Sequence, residues 1–214
     1  MQPGHDHRTQ LQVERIIFFS DAVFAIAITL LVIEIKIPEL HDPVSEKELL
    51  TAVFRLLPRF LGFVISFVII GLYWTRHHFI FNYVVTYTSK LLWLNLFLLL
   101  AIALMPFSTG LFGEYSTPRT MHLRTPLIIY VLNISFVGLM NFLMARYIGN
   151  PANGVADTRL DREEVKELKR RAAIVPAVFL LAIPVAFING YLARYVPLLL
   201  PIGLRLFRRR RAPD

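Results

Sequence analysis

Apolar residues gather into long runs separated by short polar breaks. The runs at about 11–37, 49–76, 86–112 and 125–147 each exceed the roughly 20 helical residues needed to cross about 30 Å of hydrocarbon. A last apolar region, 172–207, has room for two short helices, 172–189 and 191–207, joined near Asn189-Gly190. Pro176, Pro184, Pro197 and Pro201 interrupt it. Proline removes an amide donor and kinks helices, so one bent span with an interfacial segment is the alternative to two helices. Six transmembrane helices in one domain, 1–214, are expected, with no internal repeat. The only sizeable polar stretch is 149–171. Asn150, Pro151, Asn153 and Gly154 mark a turn there, and Asp161-x-x-Glu164 reads as a capping box. Val165, Leu168 and Ala172 form an apolar stripe, and Glu167 is spaced to pair with Arg171. An extension of the fifth helix is preferred here over a regulatory or partner-binding element.

The first run, Arg15 to Ile37, carries Arg15, Ser20 and Asp21 near one end and Thr29 in its middle. Charged groups are expensive at membrane depth and are kept where they meet protein partners or water. At about 100° per residue, Ala22, Ile26, Leu30 and Ile33 share a stripe, with Thr29 and Arg15 near its edge. Asp21 points away from it, near Ile17, Phe24, Ala25 and Ile28. The expectation is that Asp21 is buried against helices of its own subunit while the aliphatic stripe faces a symmetry axis. Thr29 has a purely structural alternative, a hydroxyl bond to the carbonyl of Ala25.

Composition settles the class. Of 214 residues, 56% are hydrophobic and only 18% charged, too apolar for a soluble domain of this length, so this is an all-α integral membrane protein. The formal charge of +8 sits beside the spans, where basic residues set topology or touch anionic membrane lipid; nucleic acid is not expected as a partner. With both termini cytoplasmic, sixteen of the 23 Lys and Arg lie inside, which favours an even number of spans. Arg55 and Arg59 then fall outside and must snorkel or pair. Cysteine is absent, so neither a disulfide nor a thiolate metal site is available. The start, MQPGHDHRTQLQVER, lacks a short apolar core with a cleavage site, so the first span is expected to be retained.

Asp21 and Ser20 have candidate partners in Arg15, Trp74, His77, His78 and Asn95, all at one end of antiparallel helices. A structural hydrogen-bond network is the preferred reading, beside a gating or proton-sensing role and a relay or metal site. No HExxH or hydrolase spacing appears, so no enzyme, catalytic residue, metal or cofactor is expected. An ion- or proton-coupled secondary transporter is the alternative function; it would call for helices broken at mid-membrane and a pseudo-repeat.

Arg15-x-x-x-Phe19-Ser20-Asp21, followed by AVFAIAITLL, then Trp74 with His77, Asn95, and Pro106-Phe107-Ser108-Thr109, resembles the endolysosomal potassium channel family and its bacterial relatives. The motifs span about 11–112. The resemblance implies a homotetramer with the first helix lining a central pore. It places Ile26, Leu30 and Ile33 at the constriction and Thr29 as a ring of hydroxyls. Arg15, Phe19, Ser20, Asp21, Trp74, His77 and Asn95 would form the signature network. Nothing resembles a Thr-Val-Gly-Tyr-Gly filter, so the implied function is a potassium-permeable cation channel gated by dewetting, with modest K⁺ over Na⁺ selectivity. Glu34 and the acidic first loop could concentrate cations at the outer mouth. Animal members carry two six-span repeats and this chain has material for one, which points to a bacterial cell membrane.

Overall fold

The computed structural model describes residues 3–39 and 45–199, with side chains from Arg8 onward. Its helices are α1 (Pro3–Leu30), α2 (Glu46–Arg55), α3 (Leu57–Phe81), α4 (Ser89–Ala103), α5 (Met105–Glu114), α6 (Thr125–Ile148), α7 (Arg162–Leu180), α8 (Ala182–Ile188) and α9 (Gly190–Ala193). Short 3-10 turns follow at Leu31–Glu34, Pro151–Asn153 and Val196–Leu199. Among the described residues, five helical stretches are long and apolar enough to cross a membrane: Arg8–Glu34, Glu46–Phe81, Ser89–Glu114, Thr125–Ile148 and Arg162–Ile188. The chain is a multi-pass all-α membrane protein.

Two expected spans are broken, and the second is also longer than anticipated. The second runs from Glu46 to Phe81 with a break at Leu56, and the third from Ser89 to Glu114 with a break at Leu104. Each break lies two residues before a proline, Pro58 or Pro106; proline cannot donate to the preceding turn and its ring clashes there. Polar caps set the starts. Ser45 and Glu48 form a complete capping box on α2, and Thr88 accepts from the Leu91 amide of α4.

The fifth span begins ten residues before the expected 172. Asp161 accepts from the Glu164 amide at 2.7 Å, and the helix then continues unbroken to Leu180. Only half of the anticipated capping box forms, because Glu164 turns instead to accept from the Tyr83 hydroxyl at 3.2 Å. Val165, Leu168 and Ala172 are buried as a stripe, and Glu167 binds both Arg170 and Arg171 at 2.6 Å. Of the expected sixth span, α9 and the turn Val196–Leu199 are described, the latter packed against α7; residues 200–207 lie outside the described part.

The core is built around α6, whose buried Leu127, Tyr130, Val131, Ile134, Val137 and Met144 meet α4, α5 and α7. Gly138 permits the closest approach: a Cβ there would lie 2.6 Å from the Pro176 ring of α7 and 2.8 Å from the Tyr73 hydroxyl of α3. At the amino-terminal end, the loop after α3 pairs with the loop before α7 through Val85 N to Val155 O at 3.0 Å and Asp157 N to Tyr83 O at 2.9 Å. The Arg159 side chain, bonded to Asp157 at 2.6 Å, holds that carboxyl below its ordinary range. At the far end, buried Arg194 donates to Ser116 Oγ at 2.6 Å and to the Leu123 carbonyl at 3.2 Å, tying α9 to the loop between α5 and α6.

Candidate functional site

Helix α1 divides lengthwise. Val13, Ser20, Phe24 and Ala27 are buried against α3 and α4, and Leu31, in the turn that follows, against α3 and α5, a spacing of three, four and seven residues that keeps them on one side. Opposite lie Ala22, Ala25, Ile26, Thr29, Leu30 and Ile33, all exposed; Ile26 is 58% and Ile33 67% accessible. The expected aliphatic stripe therefore makes no part of its own subunit's core. Thr29 lies on this free side. Its hydroxyl donates to Ile26 O at 2.9 Å, three residues back rather than to Ala25 as expected, and the oxygen keeps both of its lone pairs as acceptors.

Asp21 meets its own subunit as expected but is less buried than anticipated. It is half-buried, at the border between the two faces, and its carboxylate accepts from the Trp74 indole at 2.9 Å. The neighbouring Ser20, about 100° away around the axis, takes the buried position. Ser20 Oγ donates to Ile16 O at 2.8 Å and accepts from Asn95 Nδ2 at 2.9 Å. The Asn95 oxygen in turn meets His77 Nε2 at 2.9 Å. Since that oxygen can only accept, the chain fixes the imidazole as the Nε2–H tautomer. His77 Nδ1 is buried without a partner among the described residues, which a bare lone pair tolerates better than an N–H. Phe81 stacks on the ring at 4.3 Å and Phe24 closes the other side at 5.6 Å. Three helices are joined by this run: α1, α4 and α3.

The expected network thus separates into two sets, Ser20–Asn95–His77 inside and Asp21–Trp74 at the edge. Phe19 is 55% exposed and belongs to neither. Arg15 and His78 are exposed, and neither makes a hydrogen bond or ion pair among the described residues. Glu34 is half-buried with its carboxylate against Gly110, where an added Cβ would overlap it. It shares a small cleft with Leu31, Arg59, Phe63 and Thr109. Arg59 pairs with Glu114 at 2.5 Å, so the anticipated pairing at this level is met from α5.

A second polar cluster escaped the sequence reading. Ser66 of α3 bonds Thr109 of α5 at 2.7 Å and Tyr130 of α6 at 2.8 Å, all buried. One turn away Asn133 donates to Ser108 at 3.0 Å. The motif Pro106-Phe107-Ser108-Thr109 signalled one side of it; single serines and tyrosines on other helices give no spacing from which to find the rest. Among the described residues no three His, Asp or Glu side chains gather to hold a metal ion. What the arrangement offers is a helix anchored on one side by polar bonds and bare on the other.

The model of the family described as endosomal/lysosomal potassium channel TMEM175 matches residues 15–106. A potassium channel of Chamaesiphon minutus is 32% identical over 198 residues, covering 92% of this chain and 95% of its own. One of Streptomyces collinus is 31% identical over 180 residues, covering 82% and 83%. The crystal structure of a lysosomal potassium-selective channel TMEM175 homolog from Chamaesiphon minutus aligns with a TM-score of 0.76 at 29% identity, over 94% of this chain and 100% of that one.

Proposed function

The chain belongs to the TMEM175 family of potassium channels, and from that premise we propose that it is a potassium-permeable cation channel whose pore is lined by α1 from several copies. Four copies are the number proposed, in a bacterial cell membrane with both termini cytoplasmic. The observation that carries the reading is the make-up of the free side of α1. From Ala22 to Ile33 it is small or aliphatic apart from Thr29, whereas the exposed sides of α3 and α4 present Phe60, Phe67, Trp93 and Phe97. Bulky aromatic faces suit lipid. A slim face lets helices draw close around an axis.

Rings of Ile26, Leu30 and Ile33 would leave a narrow apolar passage that water deserts when it is tight enough. An ion must then shed part of its hydration to enter, a step easier for potassium than for sodium. Thr29 would supply hydroxyl oxygens that replace some of the lost water. Selectivity built this way is modest, since no carbonyl filter is involved. The Ser20–Asn95–His77 run and the Asp21–Trp74 bond serve as anchors that hold α1 in register while its other side meets the ions.

Flux through proteoliposomes tests the proposal. Ile26→Asn should wet the constriction and raise potassium flux, and Thr29→Ala should shift the potassium-to-sodium ratio. If both variants match the parent protein in rate and preference, the pore does not run along α1.

A further inference from the structure

The break at Leu56 leaves α2 with no evident role in spanning the membrane. Helix α3 alone, Leu57–Phe81, is 25 residues long, about 37 Å at 1.5 Å per residue, which already exceeds the hydrocarbon thickness. The border of that hydrocarbon at the far end is marked by charge: Glu34 of the turn after α1, Arg59 of α3 and Glu114 of α5 lie at neighbouring levels. An unbroken helix would carry Leu50 about 13 Å beyond Arg59, past the headgroups. Yet Leu49, Leu50, Val53 and Phe54 form one apolar arc on α2, carried on by Leu57 at the start of α3, none of them buried, with Phe54 72% exposed. Lys47, Glu48, Thr51 and Arg55 occupy the opposite side. Such an arc does not stand in water.

We propose that α2 is an interfacial helix, bent over at Leu56 so that Leu50, Val53 and Phe54 lie in the leaflet surface at the far end of the bundle. Three observations favour lipid as the occupant. The arc is continuous through Leu57, Phe60, Leu61, Val64 and Phe67 with the exposed apolar side of α3, the side left to the bilayer. The break gives the bend a place to form: Pro58 cannot donate to the turn before it, and the Leu56 amide falls back on Val53 and Phe54 carbonyls. The complete Ser45–Glu48 capping box, with bonds of 2.9 and 3.3 Å, starts α2 without help from any other helix. Glu46, Lys47, Glu48 and Arg55 sum to no net charge, so attachment is apolar and independent of anionic lipid.

The native absence of cysteine makes the test direct. Leu50→Cys, Val53→Cys, Phe54→Cys and, on the polar side, Thr51→Cys are each spin-labelled in the full chain and reconstituted in phosphatidylcholine vesicles. Collision with oxygen is then compared with collision with a water-soluble nickel chelate. The three apolar sites should favour oxygen over nickel by at least about threefold relative to Thr51, the pattern of burial at the acyl boundary, and adding phosphatidylglycerol should change nothing. Nickel access equal to that at Thr51 would place α2 in water and overturn the proposal. Labels immobilised and shielded from both reagents would do the same, by showing that a second copy covers the arc.

Discussion

Asn95→Leu isolates the anchor of α1. The amide holds two hydrogen bonds of 2.9 Å, one to Ser20 and one to His77. Ser20 keeps its bond to Ile16, but His77, fully buried and with Nδ1 already unpartnered, is left with none. Side-chain hydrogen bonds inside membrane proteins average only about 0.6 kcal/mol, whereas a buried polar group deprived of its partner costs about 1–3 kcal/mol. The orphaned imidazole dominates, so a loss of about 1–3 kcal/mol is expected. His77→Phe keeps the stacking on Phe81 and leaves the Asn95 oxygen bare. The double variant removes both members of the pair, and should cost less than the sum of the two single changes by at least about 1 kcal/mol. Reversible unfolding in mixed micelles, followed by tryptophan fluorescence, measures all four proteins. A neutral Asn95→Leu, or strict additivity of the pair, would refute the account of the anchor.

Other variants probe the packing. Gly138→Ala forces a methyl against Pro176 and the Tyr73 hydroxyl and should destabilise by about 1–3 kcal/mol; Gly71→Ala meets nothing within 4 Å and should stabilise by roughly 0.5–1 kcal/mol, both read from melting in detergent. Trp74→Phe removes the Asp21 hydrogen bond and should cost about 1 kcal/mol in the same assay, with Asp21→Asn milder because its oxygen still accepts from the indole. Arg194→Met leaves Ser116 and the Leu123 carbonyl without their donor, and faster proteolysis of the loop between α5 and α6 should reveal it.

The sequence made some of this legible for physical reasons. Periodicity along α1 separated the side that carries Ile26 and Ile33 from the side that packs, because one helix read at about 100° per residue contains that information by itself. It misjudged Asp21, since a charged residue next to a small polar one leaves open which of the two goes inside; Ser20 fits the narrow space against Asn95. The Asp161 cap and the Glu167–Arg171 pair were visible because both are local. Pro58 and Pro106 were equally visible but carried no weight against runs of uninterrupted hydropathy, and so the breaks at Leu56 and Leu104 went unforeseen. Ser66, Thr109 and Tyr130 meet only through the packing of three helices, and nothing along the chain records that meeting.

The most direct test of the central claim uses single cysteines again, this time in the flux assay. Ile26→Cys and Ile33→Cys sit on the free side of α1, while Phe97→Cys sits on an exposed side of α4. Thiol-reactive silver ions should block potassium flux through the first two and leave the third unaffected. Block at Phe97→Cys with none at Ile26→Cys or Ile33→Cys would contradict a pore lined by α1.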